Sequence, residues 1–265
     1  MRIAVCEAAA DLRPGEGEWS FLIEQVAEAK PDILLLNELP FGPWFAAQPE
    51  PDPAVFDKAV ELHQHGIDRL DELGVKAVLG SRPLMEGSDP VNQGFTWTEQ
   101  NGIQKVHNKQ FFPNEEGYYE ARWFRRGTTD FKIADVLGIK TGFLICTEMM
   151  FNEYARHYGR SGAQLIVCPR ATESATLYKW EHALALAAIV SGCYVASSNR
   201  NGADEFGLPF AGKGMIFDPF GHLVAETSDS DPIAVADLDL NLIEKAKVGW
   251  PCHAEDLPNA FSHLK

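Results

Sequence analysis

The segment DILLLNE, residues 32–38, decides the fold. Its unbroken apolar run Ile33–Leu36 is what a strand covered on both faces requires, because neither face meets water. The run ends abruptly at the polar pair Asn37–Glu38 and the turn-forming LPFGPW. Upstream, Arg2–Glu7 reads as another buried strand, and Trp19, Leu22, Ile23 and Val26 then recur at helical spacing up to Pro31. Strand, helix and strand in succession imply a parallel crossover.

The same alternation continues outward. Pro53–Leu73 reads as a helix, VKAVLGS as a strand, and QGFTWTEQNGIQKVHNK as a hairpin turning at Asn101–Gly102. TTDFKIADVLGIKTGFLICTE gives two strands split at Leu137–Gly138. FNEYARHYGRSG reads as a short helix, AQLIVCP as a strand, LYKWEHALALAAIVSG as a helix and CYVASSN as a strand. KGMIFDPFGHLVAET and DPIAVADLDL supply a hairpin and a last strand before an irregular tail. Hairpins inserted among crossovers predict an α/β fold with mixed sheets. No linker-like stretch divides the 265 residues, so a single domain over 1–265 is expected.

A net charge of −15 argues against nucleic acid and anionic membranes as partners. No apolar run approaches the roughly 20 residues of a membrane span. Cys6 and Glu7 interrupt the layout of a signal peptide, so the expected location is the cytoplasm. The five cysteines are scattered, with no C-x-x-C pair, which speaks against a disulfide framework and a structural zinc site.

Three strand ends carry a reactive side chain into a loop: Glu38 after ILLLN, Lys109 after IQKVHN and Cys146 after TGFLI. Ligands of α/β sheets gather at the carboxyl ends of strands. A cysteine attacks as its thiolate, which a base or a nearby cation provides. Glu38 can be the base and Lys109 the cation. An ammonium together with a backbone N–H after the cysteine can hold charge on a carbonyl oxygen. On pattern alone, a cysteine closing an apolar strand is more often core packing, the reading taken for Cys6, Cys168 and Cys193. His63 and His65 do not share a helix face and are expected at the surface. The chain lacks G-x-S-x-G, H-E-x-x-H and G-K-[ST], which removes the common serine-hydrolase, metallopeptidase and nucleotide-hydrolase alternatives.

LLLNELPF, HNKQFFPNEEGYYEARWF and GFLICTEMMFNEYAR, in this order, resemble the glutamate, lysine and cysteine motifs of the nitrilase-like carbon–nitrogen hydrolase superfamily. The likeness runs along nearly the whole chain and includes NRNG near Asn199 and FDPFGHL near Asp218. It implies a four-layer α-β-β-α sandwich and no metal or organic cofactor. It implies Glu38 as general base, Lys109 as oxyanion stabiliser, Cys146 as nucleophile and Glu120 as a second glutamate that holds the lysine, with Glu115 and Glu116 as alternatives in the same loop. Thr147 and Glu148 stand where the family often has tryptophan or tyrosine and then aspartate, and Asn152 stands where proline is usual.

The expected pocket wall is Phe41, Trp44, Phe112, Thr147, Glu148, Met149, Met150, Arg170 and Thr172. Arg170 is expected to pair a substrate carboxylate, or instead Glu173 or Glu148. The resemblance implies hydrolysis of a small amide or N-carbamoyl compound, with nitrile hydrolysis and a catalytically silent binding protein as the alternatives. It also implies a homodimer or higher even homo-oligomer.

Overall fold

The computed structural model describes residues 1–128, 131–203 and 207–260. The chain begins with strand β1 (Arg2–Ala9), helix α1 (Gly17–Ala29) and strand β2 (Ile33–Leu35). Helix α2 (Pro53–Ile67) leads to the strands β3 (Ala77–Glu86), β4 (Asp89–Thr98) and β5 (Gly102–Asn108). A one-turn helix α3 (Glu120–Trp123) precedes β6 (Ala134–Val136) and β7 (Ile139–Phe143). Then follow α4 (Asn152–Arg160), β8 (Leu165–Pro169), α5 (Leu177–Ser191) and β9 (Tyr194–Ala203). β10 (Pro209–Ala211), β11 (Met215–Phe217), β12 (Leu223–Glu226), β13 (Ile233–Asp237) and α6 (Leu240–Val248) come last.

The fold is α/β with mixed sheets, in two similar halves. One half has the strand order β5-β4-β3-β2-β1-β13, the other β6-β7-β8-β9-β11-β12. The central strands of each are parallel and the outer ones antiparallel. The halves join where Glu7–Ala9 of β1 pairs in parallel with Asn199–Asn201 of β9. β5 runs in the direction of β3 because two successive antiparallel pairings restore it. The carboxyl ends of β2, β5, β7 and β8 therefore open at one end of the molecule.

Three apolar clusters explain why these elements pack. Ile3, Val5, Ile33 and Leu35 of the first half meet Phe143, Leu165, Val167 and Ala196 of the second in one cluster. The opposite face of the first half packs Ala4, Cys6 and Leu34 on Trp19, Leu22 and Val26, a stripe along α1. The opposite face of the second half packs Ile166, Cys168 and Val195 on α4 and α5. Each large apolar side chain so buried contributes about 1.5–3 kcal/mol. Along α5 the buried positions Trp180, Ala183, Leu184, Ala187, Ala188 and Ser191 fall at intervals of three and four. The small residues at its C-terminal end, Ala187, Ala188 and Ser191, face α4, where Gly159 permits close approach: a Cβ added there would lie 2.3 Å from the Ser191 carbonyl oxygen.

Several expectations need correction. β3 and β4 pair along their full length around a turn at Gly87, whose φ is +66°, so the single hairpin is a three-stranded meander. The tail is not wholly irregular: Asp239 caps α6 by accepting from the Asn241 N–H, and Ile243 and Ala246 bury its inner face. His63 is buried rather than on the surface. Thr129 and Asp130, within the stretch read as two strands, and the tail from 261 lie outside the described residues. Among the described residues no helix is long and apolar enough to cross a membrane.

Candidate active site

Glu38 stands three residues past β2. Its backbone N–H donates to the Arg170 carbonyl at 3.1 Å, which joins the ends of β2 and β8. The next residue, Leu39, has a φ of +46°, a strained value for a branched side chain. Buried Arg200 supports this turn. Its Nε donates to the Glu38 carbonyl at 3.2 Å, one Nη donates to the Gly42 and Ala10 carbonyls, and the other to the Leu39 carbonyl.

Lys109 follows β5 directly, after a register shift between β4 and β5 at Gly94/Phe95. Its backbone N–H donates to the Asn92 carbonyl at 2.9 Å. Its Nζ lies 2.7 Å from Glu38 Oε1 and 2.8 and 2.6 Å from the two oxygens of Glu120. Asn92 Nδ2 donates to the same Glu38 Oε1 at 2.8 Å. Glu38 Oε2 is buried and has no hydrogen-bond partner among the described residues. Glu120 opens α3, and aromatic packing fixes that loop. Trp44 Nε1 donates to the Gly117 carbonyl at 3.0 Å, Trp123 Nε1 to the Gln48 carbonyl at 2.7 Å, and the Phe45 ring packs edge-on to Trp123.

Cys146 follows β7 and opens a 3-10 turn that runs to Met150. Its φ is +50°, a left-handed value that L side chains adopt at a cost of order 1–3 kcal/mol and that recurs at functional sites. The conformation turns the thiol into a cleft of about 90 Å³, shared with Glu120, Thr147 and Thr172. Tyr118 and Trp180 supply aromatic walls, and Glu115 and Glu173 also line it.

Charges in this space constrain one another. Burial opposes the charge on Lys109, but Glu120 and Glu38 outweigh it and hold its pKa above that of an ordinary lysine. Burial, and then the neighbouring Glu38, push Glu120 up to about 8 against the pull of Lys109. Burial and then Glu38 push the Cys146 thiol well above 9.0, with Lys109 and the Ala171 backbone N–H as partial offsets. At neutral pH the sulfur is therefore a thiol. A thiol in the field of a carboxylate that has one unengaged oxygen, and of a fixed ammonium, can deliver a nucleophile at the moment of attack.

The structure brings Glu38, Lys109 and Glu120 into one buried cluster whose charges act on Cys146, and places Thr147 and Thr172 in the cleft. It places the other expected wall residues elsewhere. Phe41 packs edge-on against Trp19 and His63 under α2. Trp44 lies behind the lysine loop, against Tyr118 and Phe210, and Phe112 stacks on Phe124. Met149 is fully buried in the core beneath α5, whereas Met150 is exposed and outside the cleft. Glu148 is turned inward, onto His107. Arg170 is fully buried: its guanidinium donates to Ser197 Oγ at 2.7 Å, Thr172 Oγ1 at 3.1 Å and the Lys213 carbonyl at 2.6 Å, and it stacks over Trp180. It forms no ion pair with Glu173 or Glu148; Nε and both Nη atoms each donate to one of those three acceptors instead. Sequence reading missed Asn92 and Arg200. An asparagine in mid-strand gives no signal, although the polar SSNRNG run closing an apolar strand was one for Arg200.

A family model described as carbon–nitrogen hydrolase matches residues 2–248, and the chain belongs to that family. Among curated proteins it is similar to N-carbamoylputrescine amidase of Arabidopsis thaliana, 28% identical over 174 residues, which are 60% of this chain and 58% of that protein. It is 29% identical over 187 residues to 2-oxoglutaramate amidase of Bacillus subtilis (strain 168), covering 66% of this chain and 65% of that one. The match thus spans under two thirds of these relatives. Among solved structures, a carbon–nitrogen hydrolase from Helicobacter pylori G27 superposes with a TM-score of 0.86 at 21% identity, covering 100% of this chain and 98% of that one. An amidase from Nesterenkonia sp. AN1 gives 0.74 at 22% identity, with 92% and 95% covered. At these identities the superpositions speak for the fold.

Proposed function

We propose that the protein hydrolyses the C–N bond of a small amide or N-carbamoyl compound through a thioester on Cys146. The observation that carries this reading is the fully buried Glu38–Lys109–Glu120 cluster acting on a thiol in a cleft, with one Glu38 oxygen unengaged. Family membership and the amidase activities named for its relatives support it.

In the proposed reaction Glu38 takes the Cys146 proton as sulfur bonds to the carbonyl carbon. The carbonyl π electrons move to oxygen, where Lys109 Nζ and the Thr147 backbone N–H receive the charge. As the tetrahedral adduct collapses, the C–N bond breaks and the nitrogen takes the proton from Glu38. Glu38 then removes a proton from water. The oxygen of that water attacks the thioester, the C–S bond breaks and the sulfur regains a proton. Glu120 shares the lysine and keeps Nζ in place.

The cleft bounds the substrate. At about 90 Å³ it is well below the roughly 300–1,000 Å³ of sites for drug-sized ligands, which favours a small acyl group. Glu115 and Glu173 line it beside Glu120, and Arg170 is engaged elsewhere, which disfavours a substrate carboxylate. The test is intact-mass detection of an acyl adduct on Cys146 after mixing with an amide panel, with ammonia release measured in parallel. Paired nitriles in the panel separate amide from nitrile turnover. Neither adduct nor ammonia from any compound would overturn the reading in favour of a binding protein.

A further inference from the structure

The proposed oxyanion site draws its donors from two loops: Lys109 follows β5, and the Thr147 N–H follows β7. Their convergence on one oxygen needs the two backbones held in register. Glu148 bonds to both. Its Oε1 accepts from the Gln110 backbone N–H at 2.6 Å, and its Oε2 accepts from the Ile145 backbone N–H at 2.8 Å. His107 Nε2 lies 3.0 and 2.8 Å from the same two oxygens. A carboxylate only accepts, so that nitrogen carries a proton. The donors at 107 and 110 bracket Lys109, and the donor at 145 immediately precedes Cys146. Both side chains of the His107–Glu148 pair are fully buried.

We propose that Glu148 is a positioning residue for the oxyanion site, tying the lysine loop to the cysteine loop so that both donors aim at one carbonyl oxygen. The inference rests on the roles proposed above for Cys146 and Lys109. A glutamine at 148 keeps the shape but offers one accepting oxygen, and its NH2 meets a backbone N–H, so one loop is released. Donors that act on the tetrahedral adduct govern kcat more than substrate binding.

The experiment compares the full-length wild type with Glu148→Gln and His107→Phe, which keeps a ring against Phe131 and removes the nitrogen that meets Glu148. Each is assayed for kcat and KM on the amide that wild type turns over fastest. Inhibition by the aldehyde bearing the same acyl group is measured alongside. That aldehyde accepts the Cys146 sulfur on its carbonyl carbon, the thiol proton passes to Glu38, and charge gathers on the oxygen as in the reaction. Glu148→Gln is expected to lower kcat about 100-fold, to move KM little, and to weaken aldehyde inhibition in step with kcat. His107→Phe is expected to show a smaller loss of the same pattern. A role in folding alone lowers the active fraction and leaves aldehyde affinity unchanged. Wild-type kcat and aldehyde affinity in folded Glu148→Gln, or in folded His107→Phe should the first not fold, overturn the inference. No turnover by the wild type overturns the hydrolase reading itself and this inference with it.

Discussion

Lys109 Nζ lies 2.7 Å from Glu38 Oε1 across 71 positions of sequence, and Asn92 donates to that same oxygen. Two donors saturate Oε1 and leave Oε2 as the free acceptor. Division of labour within one carboxylate follows: one oxygen is held, and the other is left to move a proton. Glu38→Gln keeps the contacts of Oε1 and removes the base. Its kcat is expected to fall by about 10²–10⁴-fold, the usual worth of a general base, with KM changed little. Steady-state kinetics check this, and a loss under tenfold would assign the base elsewhere.

The raised thiol pKa of Cys146 sets a second expectation. Burial and Glu38 favour the neutral thiol, so the thiolate fraction should still be rising at pH 9. In the wild type, the rate of Cys146 alkylation by iodoacetamide, followed by intact mass from pH 6 to 9, should climb throughout. A plateau reached by pH 7 would show a preformed thiolate and would reassign Glu38 from base to spectator.

Much of this was legible in the sequence because the reactive residues end apolar strands. Ile33–Leu36 and the strand before Cys146 announce burial on both faces, and strand ends gather at one edge of an α/β sheet. The walls of the cleft were less legible. Phe41, Trp44 and Met149 follow reactive residues within a few positions, but apolar bulk there went into packing the loops. Glu148 and Arg170 are charged, yet each side chain meets three partners inside the protein, and these depend on contacts no local pattern shows. Tyr118 and Trp180 reach the cleft from a loop and a helix whose approach is set by tertiary packing.

His63 supplies a prediction about stability. Its Nδ1 lies 2.8 Å from the Ala59 carbonyl, and its Nε2 accepts from the Phe41 N–H at 3.3 Å, so the buried ring is neutral. Burial lowers its pKa from 6.5 to about 3, with the charges on Arg200 and Arg82 adding to the effect. The unfolded chain takes up this proton near pH 6.5 and the folded one only near 3, so stability is lost as pH falls through that window. By pH 5 the loss is about 2 kcal/mol. His63→Gln cannot titrate, and its drop in unfolding free energy between pH 7.5 and 5 should be smaller by that amount. Urea titrations at both pH values measure it. Equal drops in the two proteins would place the acid sensitivity elsewhere.

Arg170 separates a structural guanidinium from a substrate-binding one. Its three acceptors and its stacking on Trp180 hold the segment Arg170–Thr172 against β9, and that segment carries Ala171 and Thr172 into the cleft. Lysine at this position keeps a charge but not the planar fork, so at least one buried acceptor loses its partner. Arg170→Lys is expected to lower the unfolding free energy by about 2–3 kcal/mol, read by chemical denaturation. Because the guanidinium is spent inside the protein, the substitution should leave unchanged the ratio of kcat/KM for an amide bearing a terminal carboxylate to that for its uncharged analogue. The uncharged analogue should be the better substrate in both proteins, since Glu115 and Glu173 line the cleft and repel an anion. A selective loss of the carboxylated substrate in Arg170→Lys would return Arg170 to the substrate site and require it to exchange Ser197 or Thr172 for the ligand during turnover.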